Sequence, residues 1–418
     1  MRNVLMVSFQ FPPFSGSSGL LRPLKFVKYL PEHGWRPLVL TVARHAYIET
    51  SEDQNAEVPS EAIVERAFAI DAGRHLAYRG RYFGLTALPD RWASWWLFGV
   101  IRGLSMIRRH RPEVIWATYP IASALLIAAS LSRLSGLPYV ADFRDAMVFD
   151  DFPEDPSQRR RFERIEPRII ASASAAVFTT PASRELYRLR YPEHPTSRLV
   201  CIRNGYDETD FAAMPATARR QNNLPLRLVH SGLLKLNERD PRPFLAGLAR
   251  AIGAGGVRRG DVDVVFRAPG DENLHQRLVA EAGLDGVVRI LPRIPYGEAL
   301  QEMADADALL IFQDAGCNHL VPAKLYECIR AQRPILALTD HAGETADLLR
   351  ESGSGAVMDI RSADEIATAL PSYLAAVASG TAAVASEVTA ARYSRRHQTA
   401  ELADLLAAVA GSAVTAAA

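Results

Sequence analysis

The sequence predicts an α/β protein built from two doubly wound parallel sheets. Short β-branched or apolar runs alternate with longer helical stretches along the whole chain. Continuous apolar runs separated by helices are typical of parallel strands that are covered on both faces. There are thirteen such runs, which are too many for one doubly wound sheet and suit two.

Seven of the runs fall in the first half of the chain and six in the second. The first seven are residues 3–8, 37–41, 62–67, 114–118, 138–142, 176–180 and 199–203. The other six are residues 226–230, 262–267, 287–291, 308–312, 334–338 and 356–359. Because parallel neighbours need a crossover connection, we predict helices between the strands.

A polar stretch, residues 204–224, is the predicted boundary between two domains. It begins with Asn204-Gly205 and has no apolar periodicity. We therefore predict an amino-terminal domain of residues 1–208 and a second domain of residues 209–385. A last helix, at about residues 386–409, is a candidate to pack back onto the first domain.

Composition and charge exclude several classes of protein. Among 418 residues, 48 basic and 47 acidic groups leave a formal charge of +1. This balance excludes nucleic acid, or an anionic membrane, as a partner bound through bulk charge, although a local basic patch remains compatible. The three cysteines match no zinc or CxxC spacing, so we expect free thiols in a reducing cytoplasm.

Lysine is rare among the basic residues. Only four of the 48 are lysine: Lys25, Lys28, Lys235 and Lys324. The first two lie three residues apart on the first predicted helix, and we expect them to face solvent. The other two fall in two motifs of the second domain that are described below.

A glycine-containing loop, FPPFSGSSG, follows the first predicted strand and precedes a helix. Gly16 and Gly19 would let the backbone approach a ligand, and the helix start offers free N–H groups. The spacing is not GxGxxG, and no acidic residue ends the second strand, which argues against a dinucleotide. A sugar or acceptor site and a plain helix-initiating turn both remain open.

Two carboxylates flank an arginine after the fifth predicted strand, in the run Ala141-Asp142-Phe143-Arg144-Asp145. Ligands bind at this edge of doubly wound sheets. Asp142 or Asp145 could orient an acceptor hydroxyl or accept its proton. Alternatively, Arg144 simply neutralises the two carboxylates.

The loop after the first strand of the second domain, SGLLKLNERDP, carries another candidate site. Gly232 permits a tight turn, and Lys235 and Arg239 bring positive charge to the strand edge. Such an edge suits a diphosphate. The alternative is a solvated loop with surface ion pairs.

The most informative motif is PAKLYECIRAQRPILAL, residues 322–338. Its proline suits the first turn of a helix, and Lys324 and Glu327 share a face at a spacing of three. Leu325 belongs to the neighbouring apolar face. Glu327 could accept both hydroxyls of a ribose while Lys324 meets phosphate. The alternative is an ordinary surface ion pair.

This last motif resembles the donor-binding helix of glycosyltransferase family 4, a retaining nucleotide-sugar family with the GT-B fold. Four other runs occur in the family's order: FPPFSGSSGLLRPLKFVKYLPEHGWRPLVLT, ADFRDA, IRNGYD and LPRIPYGEALQEMADADALLIF. ADFRDA resembles the DFRDPW segment of a bacterial polysaccharide subgroup. The resemblance extends over roughly residues 1–400. Each run by itself is a weak signal for the family, but the order and spacing of the runs together are specific.

The resemblance implies two Rossmann-like domains, with the acceptor on the first and a nucleotide-sugar donor on the second. It makes Glu327 the ribose-binding glutamate and Arg239 and Lys324 the cations that stabilise the leaving diphosphate. With Asp142 and Asp145 on the acceptor side, these are the candidate catalytic residues. The implied donor-binding positions are Gly16, Gly19, Gly232, Lys235, Arg239, Arg293, His319, Lys324, Leu325 and Glu327. The resemblance implies neither a metal ion nor a cofactor, and the acceptor is expected to be a glycan or a lipid-linked glycan.

Three departures from the family pattern keep other functions open. His319 stands where the family has its first glutamate, and Leu233 stands where an arginine is common. The family's frequent acceptor-side histidine is missing, so Asp142 or Asp145 would have to replace it. The alternatives are a nucleotide-sugar epimerase or hydrolase of the same fold, and a catalytically inactive partner subunit.

Aromatic and basic residues are concentrated in the stretch that begins at Arg79 and ends at Phe98. This composition fits a helix that touches a membrane or a lipid-linked acceptor. A core helix is the commoner explanation of an apolar stripe. The sequence thus predicts a cytoplasmic protein with a candidate contact to the inner face of a membrane.

Overall fold

The computed structural model describes residues 1–75, 89–149, 152–212 and 225–417. These residues form two compact units. One consists of Met1–Arg203 together with Arg395–Ala418, and the other of Asn204–Ser394. The division falls between Arg203 and Asn204.

The first unit contains a seven-stranded, all-parallel sheet in the order β3-β2-β1-β4-β5-β6-β7. Its strands are β1 (Arg2–Val7), β2 (Trp35–Val42), β3 (Ile63–Ala67), β4 (Val114–Thr118), β5 (Tyr139–Phe143), β6 (Ala175–Phe178) and β7 (Leu199–Cys201). The helices are α1 (Leu21–Tyr29), α2 (Ala72–His75), α3 (Trp95–His110), α4 (Ala122–Ser135), α5 (Pro156–Ser172) and α6 (Pro181–Arg190).

The second unit contains a six-stranded, all-parallel sheet in the order β10-β9-β8-β11-β12-β13. Its strands are β8 (Leu226–Ser231), β9 (Val262–Arg267), β10 (Val288–Leu291), β11 (Ala308–Gln313), β12 (Ile335–Thr339) and β13 (Gly355–Met358). The helices are α7 (Glu208–Ala212), α8 (Arg242–Gly253), α9 (Glu272–Glu281), α10 (Tyr296–Asp305), α11 (Ala323–Arg330), α12 (Glu344–Ser352), α13 (Ala363–Ser379) and α14 (Glu387–Ala391).

The two predicted parallel sheets are confirmed, and each predicted strand overlaps one of the thirteen observed strands. Alternate residues of a strand serve the two faces of its sheet. In β1, Leu5 and Val7 join one apolar cluster, whereas Val4 and Met6 join another. Helices therefore cover both faces, which explains why the strands have continuous rather than alternating apolar patterns.

Both sheets reverse their strand order beside the first strand of the unit. In the first sheet the reversal lies between β1 and β4, and in the second between β8 and β11. Ligands bind outside the carboxyl ends of the strands at such a switch point. The loops that follow these four strands, and the strands next to them, are therefore the places to look for a site.

The carboxyl-terminal region differs from the single helix predicted at residues 386–409. α14 belongs to the second unit, and a longer helix, α15 (Arg395–Ala417), belongs to the first. Leu402 and Leu406 of α15 are completely buried in the cluster that contains Leu24 and Val27 of α1. α15 thus packs on the first sheet through α1, β4 and β5.

Candidate functional site

The side chain of Glu327 lies at the centre of the candidate site of the second unit. It is on the second turn of α11 and is only 8% exposed. Its Oε2 lies 2.7 Å from Nζ of Lys324, one turn earlier on the helix. Its Oε1 accepts a hydrogen bond of 3.0 Å from the hydroxyl of Tyr296, the first residue of α10. Both carboxylate oxygens of Glu327 are therefore held in place.

Tyr296 acts here as a hydrogen-bond donor. Desolvation of its hydroxyl, followed by the negative charges of Glu327 and Asp210, raises the pKa of Tyr296 far above its ordinary value. The ammonium of Lys324 lies 5.8 Å from the centre of the Tyr296 ring. Tyr296 was not among the residues singled out from the sequence, because an aromatic residue that starts a helix carries no signal for this contact.

The backbone around α11 explains why its two faces have different roles. The helix begins at Ala323, directly after Pro322, whose extended backbone initiates it. Leu325 is completely buried, and its N–H donates to the carbonyl of Pro322. The side chain of Leu325 therefore anchors the helix in the core, and its place among the donor-binding residues stays a prediction.

The loop after β8 presents cations at the same edge of the sheet. Gly232 has φ of +136°, a conformation that other residues rarely adopt, and its N–H donates to the carbonyl of Arg267. Lys235 is 53% exposed and lies 3.6 Å from Glu238. Arg239 is half-buried, and its N–H donates to the carbonyl of Lys235 over 2.7 Å.

The ring of His230 is within electrostatic reach of both Arg239 and Lys324, which lie far apart in the sequence. It sits near the end of β8, is 5% exposed, and its Nδ1 lies 2.9 Å from the carbonyl oxygen of Leu310. Burial is the main cause, and the positive charges of Arg239 and Lys324 contribute, in lowering the pKa of His230 to about 4. Both cations are therefore within electrostatic reach of the His230 ring. This is possible because β8 and β11 are neighbouring parallel strands, so the residues that follow them lie at the same edge of the sheet.

His319 and Arg293 lie in two other loops of this edge. His319 is half-buried in the connection between β11 and α11. The amide of Gln313 braces this connection by donating to the carbonyls of Cys317 and Leu320, each over 2.8 Å. Arg293 is exposed in the short connection that precedes Tyr296.

In the first unit, Asp142 is completely buried in an ion pair. Both of its carboxylate oxygens accept hydrogen bonds of 2.9 Å from the guanidinium of Arg22, and Oδ2 also accepts one of 3.0 Å from Thr118. The Arg22 side chain also donates to the carbonyls of Ile202 and Arg203. Arg22, and not Arg144 as the sequence suggested, is therefore the cation that neutralises Asp142.

Arg144 is directed instead at the loop after β1. Its Nη1 donates to the carbonyl of Gly19 over 2.6 Å and to Oε1 of Gln10 over 3.2 Å. A Cβ atom on Gly19 would lie 2.0 Å from Oε1 of Gln10, so the Gln10 amide would have to move and would lose its hydrogen bond from Arg144. Gly16 has φ of +92°. The two glycines are thus needed for the packing and backbone of this loop, whether or not a ligand binds it.

Asp145 differs from Asp142 in being accessible. It is exposed at the carboxyl end of β5. Its negative charge, together with those of Glu166 and Asp90, adds to burial in raising the pKa of Tyr119, which follows β4. Of the two predicted acceptor-side carboxylates, Asp145 is therefore the one that can reach a ligand.

Two expectations about the first unit need correction. Lys25 does not face solvent: it is 2% exposed and pairs with Glu57, to which Lys28 also donates over 2.8 Å. The stretch from Arg79 to Phe98 lies outside the described residues up to position 88. In its remainder, Trp95 is completely buried whereas Trp96 is 46% exposed, so α3 is neither wholly core nor wholly surface.

Among the described residues, no three His, Cys, Asp or Glu side chains gather in a group that could hold a metal ion. Within the same residues, each helix is too short or too polar to cross a bilayer.

Comparison with known proteins gives a family match in the first unit. Residues 22–205 match the family model of the glycosyl transferase 4-like domain. No curated protein matches the chain in sequence.

Solved structures match the chain over nearly its whole length. Anabaena HepE in complex with UDP has a TM-score of 0.65 and 16% identity, with 98% of this chain and 100% of that chain covered. Sucrose-phosphate synthase from Thermosynechococcus elongatus has a TM-score of 0.63 and 13% identity, with 99% and 100% covered. A putative UDP-N-acetylglucosamine 2-epimerase from Listeria monocytogenes has a TM-score of 0.58 and 9% identity, with 96% and 94% covered.

These likenesses define the class of the protein. Two parallel-sheet α/β units with these structural neighbours constitute a GT-B fold. The match of residues 22–205 adds a likeness in sequence: this segment of the first unit is similar to the glycosyl transferase 4-like domain.

Proposed function

We propose that this protein is a glycosyltransferase that moves a sugar from a nucleotide-sugar donor to a glycan or lipid-linked acceptor, with retention of anomeric configuration. The reaction would serve the synthesis of a cell-surface polysaccharide or glycoconjugate at the cytoplasmic face of a membrane. The observation that carries the proposal is the carboxylate of Glu327, held between Tyr296 and Lys324 at the carboxyl edge of the second sheet. The UDP in the structurally similar HepE supports a nucleotide-sugar donor.

Glu327 is suited to bind the ribose of the donor. A carboxylate has about four lone-pair positions; the Tyr296 hydroxyl occupies one on Oε1, whereas Lys324 lies 2.7 Å from Oε2 as an ion pair and without a hydrogen bond. An unoccupied position on each oxygen can accept one of two neighbouring ribose hydroxyls. Because the carboxylate is already fixed, little side-chain entropy is lost when the ribose binds.

Lys324 and Arg239 are suited to stabilise the diphosphate as it leaves. Both positive charges act on the ring of His230 near the end of β8, Arg239 from the loop after β8 and Lys324 from the first turn of α11. Charge that is placed before the reaction stabilises the developing negative charge without reorganisation. The proposed reaction therefore uses these side chains, with Lys235 as an additional exposed cation, in place of a metal ion.

The transfer step follows from retention. The acceptor hydroxyl attacks the anomeric carbon on the face from which the diphosphate departs, and the bond from that carbon to the phosphate oxygen breaks. The leaving phosphate takes the proton of the hydroxyl. Asp145 is the exposed carboxylate that would orient the acceptor, since Asp142 is enclosed by Arg22 and Thr118.

Calorimetric titration with UDP, GDP and dTDP tests the donor site. We expect one of these nucleotides to bind the native protein and to bind Glu327→Ala and Lys324→Ala at least about tenfold more weakly, which is the effect of losing a charged hydrogen bond. Glu281→Ala, an exposed glutamate on α9, is the matched control. Unchanged binding in both site variants would overturn the assignment.

A nucleotide-sugar epimerase or hydrolase is the second candidate, favoured by the likeness to the putative epimerase from Listeria monocytogenes. Release of free sugar, or of an epimerised nucleotide sugar, without any acceptor would identify it. A third hypothesis is an inactive partner subunit, because His319 and Leu233 replace two residues of the family pattern. Failure of all three nucleotides to bind would favour this hypothesis.

A further inference from the structure

Helix α5 of the first unit carries a dense set of arginines. Its 17 residues include five arginines and two glutamates. Arg160, Arg164 and Arg168 are exposed and recur every four residues, so they follow one side of the helix over about 12 Å. We call these three residues the arginine stripe. Arg161, which is half-buried, lies beside it.

The two glutamates of α5 do not neutralise the stripe. Glu163 pairs with Arg159 over 3.3 Å. Glu166 is buried on the opposite side of the helix, where it accepts hydrogen bonds from the hydroxyls of Tyr187 and Tyr191. Within the described part of the chain, no aspartate or glutamate forms an ion pair with a member of the stripe. The stripe is therefore a row of uncompensated positive charges.

The helices next to α5 add no free counter-charge. α4 contains no aspartate or glutamate, and its one charged residue is the exposed Arg133. The single acid of α6, Glu185, pairs with Arg188. Because the whole chain has a formal charge of only +1, the positive charge of the stripe is a local concentration. Such a concentration attracts an anionic ligand and guides its approach.

The length of the stripe indicates a ligand that repeats its negative charge. A single carboxylate or phosphate would contact one or two guanidinium groups, whereas three groups spaced along a helix suit a chain of anionic units. The planar guanidinium of arginine binds a carboxylate through two parallel hydrogen bonds. A polymer with carboxylates at intervals therefore fits the stripe.

The other residues of α5 distinguish among polyanions. The structure describes the whole of this helix, and none of its large apolar side chains is exposed, so it has nothing to insert into a bilayer. Its one aromatic ring, that of Phe162, is buried and offers no stacking platform for the bases of a single-stranded nucleic acid. A polar and basic surface of this kind favours an acidic polysaccharide.

The stripe begins near the edge of the first sheet at which Asp145 lies. α5 connects β5 to β6, and a helix that connects parallel strands runs antiparallel to them. Arg160, in the second turn of α5, is therefore nearer to the carboxyl edge of the sheet than Arg168. A chain bound along the stripe would have one end towards the exposed carboxylate of Asp145.

We propose that the arginine stripe binds an acidic polysaccharide through the carboxylates of its sugars, and that this polysaccharide is the acceptor. The inference rests on the proposed function, which makes the acceptor a glycan, and it adds the chemical class of that glycan. Arg160 holds the part of the chain next to the reacting end, and Arg164 and Arg168 hold sugars further away. The stripe sets the affinity for the acceptor and does not touch the reacting atoms.

Fluorescence anisotropy with a labelled oligogalacturonate, in which every sugar carries a carboxylate, tests the proposal. The native full chain should bind it, more weakly as salt is added, and should not bind a labelled neutral dextran of similar length. Arg160→Gln/Arg164→Gln/Arg168→Gln should bind the oligogalacturonate at least about tenfold more weakly, because three surface ion pairs are lost together.

The matched control is Arg258→Gln/Arg277→Gln/Arg392→Gln, which removes the same charge from exposed arginines of the second unit. We expect this control to bind like the native chain and both triple variants to keep the native melting temperature, since all six side chains are exposed. Native chain that does not bind the oligogalacturonate, or an equal loss of binding in the control, would overturn the proposal.

Two other anionic partners would give different results. A labelled single-stranded DNA that binds as tightly as the oligogalacturonate would identify a general polyanion surface. Phosphatidylglycerol vesicles that bind the native chain but not the stripe variant, when the oligogalacturonate does not bind, would identify a membrane surface. Either result refutes the acidic acceptor.

Titration with UDP, GDP and dTDP separates this inference from the proposed function. If one nucleotide binds but the oligogalacturonate does not, the acidic acceptor is wrong and the donor site stands. If the oligogalacturonate binds the stripe but none of the three nucleotides binds, the stripe holds an acidic glycan that is not an acceptor. In that case the proposed transfer reaction is wrong.

Discussion

The hydroxyl of Tyr296 donates to the carboxylate of Glu327 over 3.0 Å, which joins the start of α10 to the middle of α11. Together with Lys324, this bond determines where the Glu327 carboxylate points. Tyr296 is a positioning residue in the proposed site: it acts through Glu327 and not on the sugar.

Replacing Tyr296 with phenylalanine should weaken donor binding more than catalysis. Loss of a hydrogen bond to a charged group costs about 1.5–3 kcal/mol, of which Lys324 retains a part by holding the other oxygen. We expect KM for the nucleotide sugar to rise about tenfold with kcat nearly unchanged. Tyr373→Phe is the control, since the Tyr373 hydroxyl is buried without a hydrogen bond among the described residues. A fall in kcat with unchanged KM would contradict a positioning role.

The buried His230 should make stability depend on pH. Its pKa lies at about 4 in the folded protein, below its ordinary value of 6.5, because burial disfavours the charged ring. As pH falls below 6.5, His230 binds a proton in the unfolded chain but not in the folded chain. The free energy of unfolding therefore decreases until about pH 4 and then levels off.

Thermal unfolding between pH 7 and pH 4 measures this effect. The loss is on the order of 3 kcal/mol for the native chain, as the size of the pKa shift implies. His230→Gln, which cannot titrate, should remove this part of the pH dependence. His341→Gln, an exposed histidine, should leave it in place. Equal pH profiles for native protein and His230→Gln would refute the prediction.

The Arg22–Asp142 pair should contribute to stability and not to the chemical step. Both side chains are almost completely buried, so removing one leaves an unpaired buried charge. Asp142→Asn should destabilise the protein by about 3–5 kcal/mol. Asp145→Asn, at an exposed carboxylate three residues away, should leave stability within about 0.5 kcal/mol and lower activity.

Urea unfolding and acceptor kinetics distinguish the two aspartates. If Asp142→Asn folds as stably as the native chain but is inactive, Asp142 has the catalytic role that the sequence suggested. If Asp145→Asn is fully active, the acceptor is oriented by another group.

The Gly19 position should tolerate alanine only if Gln10 is shortened. The Gly19→Ala side chain would collide with the Gln10 amide, which should cost about 1–3 kcal/mol. The double variant Gly19→Ala/Gln10→Ala should recover most of that loss. Gly253→Ala, where nothing lies within 4 Å, is the neutral control. An unchanged unfolding midpoint for Gly19→Ala alone would contradict the packing role.

The strands were predictable because each depends on its own run of residues. β4, with Val114–Thr118, is apolar throughout and lies between helices, and its bounds were predicted without error. α11 could be predicted in the same way, since the spacing of Lys324 and Glu327 places them on one face of any helix. The helical break between α14 and α15 was missed because the separate destinations of the two helices depend on tertiary packing.

The partners of charged residues were much less predictable. Lys25 was expected to face solvent. Instead, α15 packs against the first helix and Glu57 pairs with Lys25, and neither neighbour is near in the sequence. Arg22 finds Asp142 at a separation of 120 residues, while the nearer Arg144 turns to Gly19. Opposite charges are abundant, and a sequence does not show which of them the fold brings within 3 Å.

By itself, the amino-acid sequence determined the two parallel sheets, the helix that carries Glu327 and Lys324, and the order of motifs typical of the family. These properties depend on local periodicity and on neighbouring residues. Only the tertiary structure decided that the Tyr296 hydroxyl donates to Glu327 and that Arg22 encloses and neutralises Asp142. Each of these depends on the approach of separate elements, which packing of the whole unit sets and no single stretch of chain encodes.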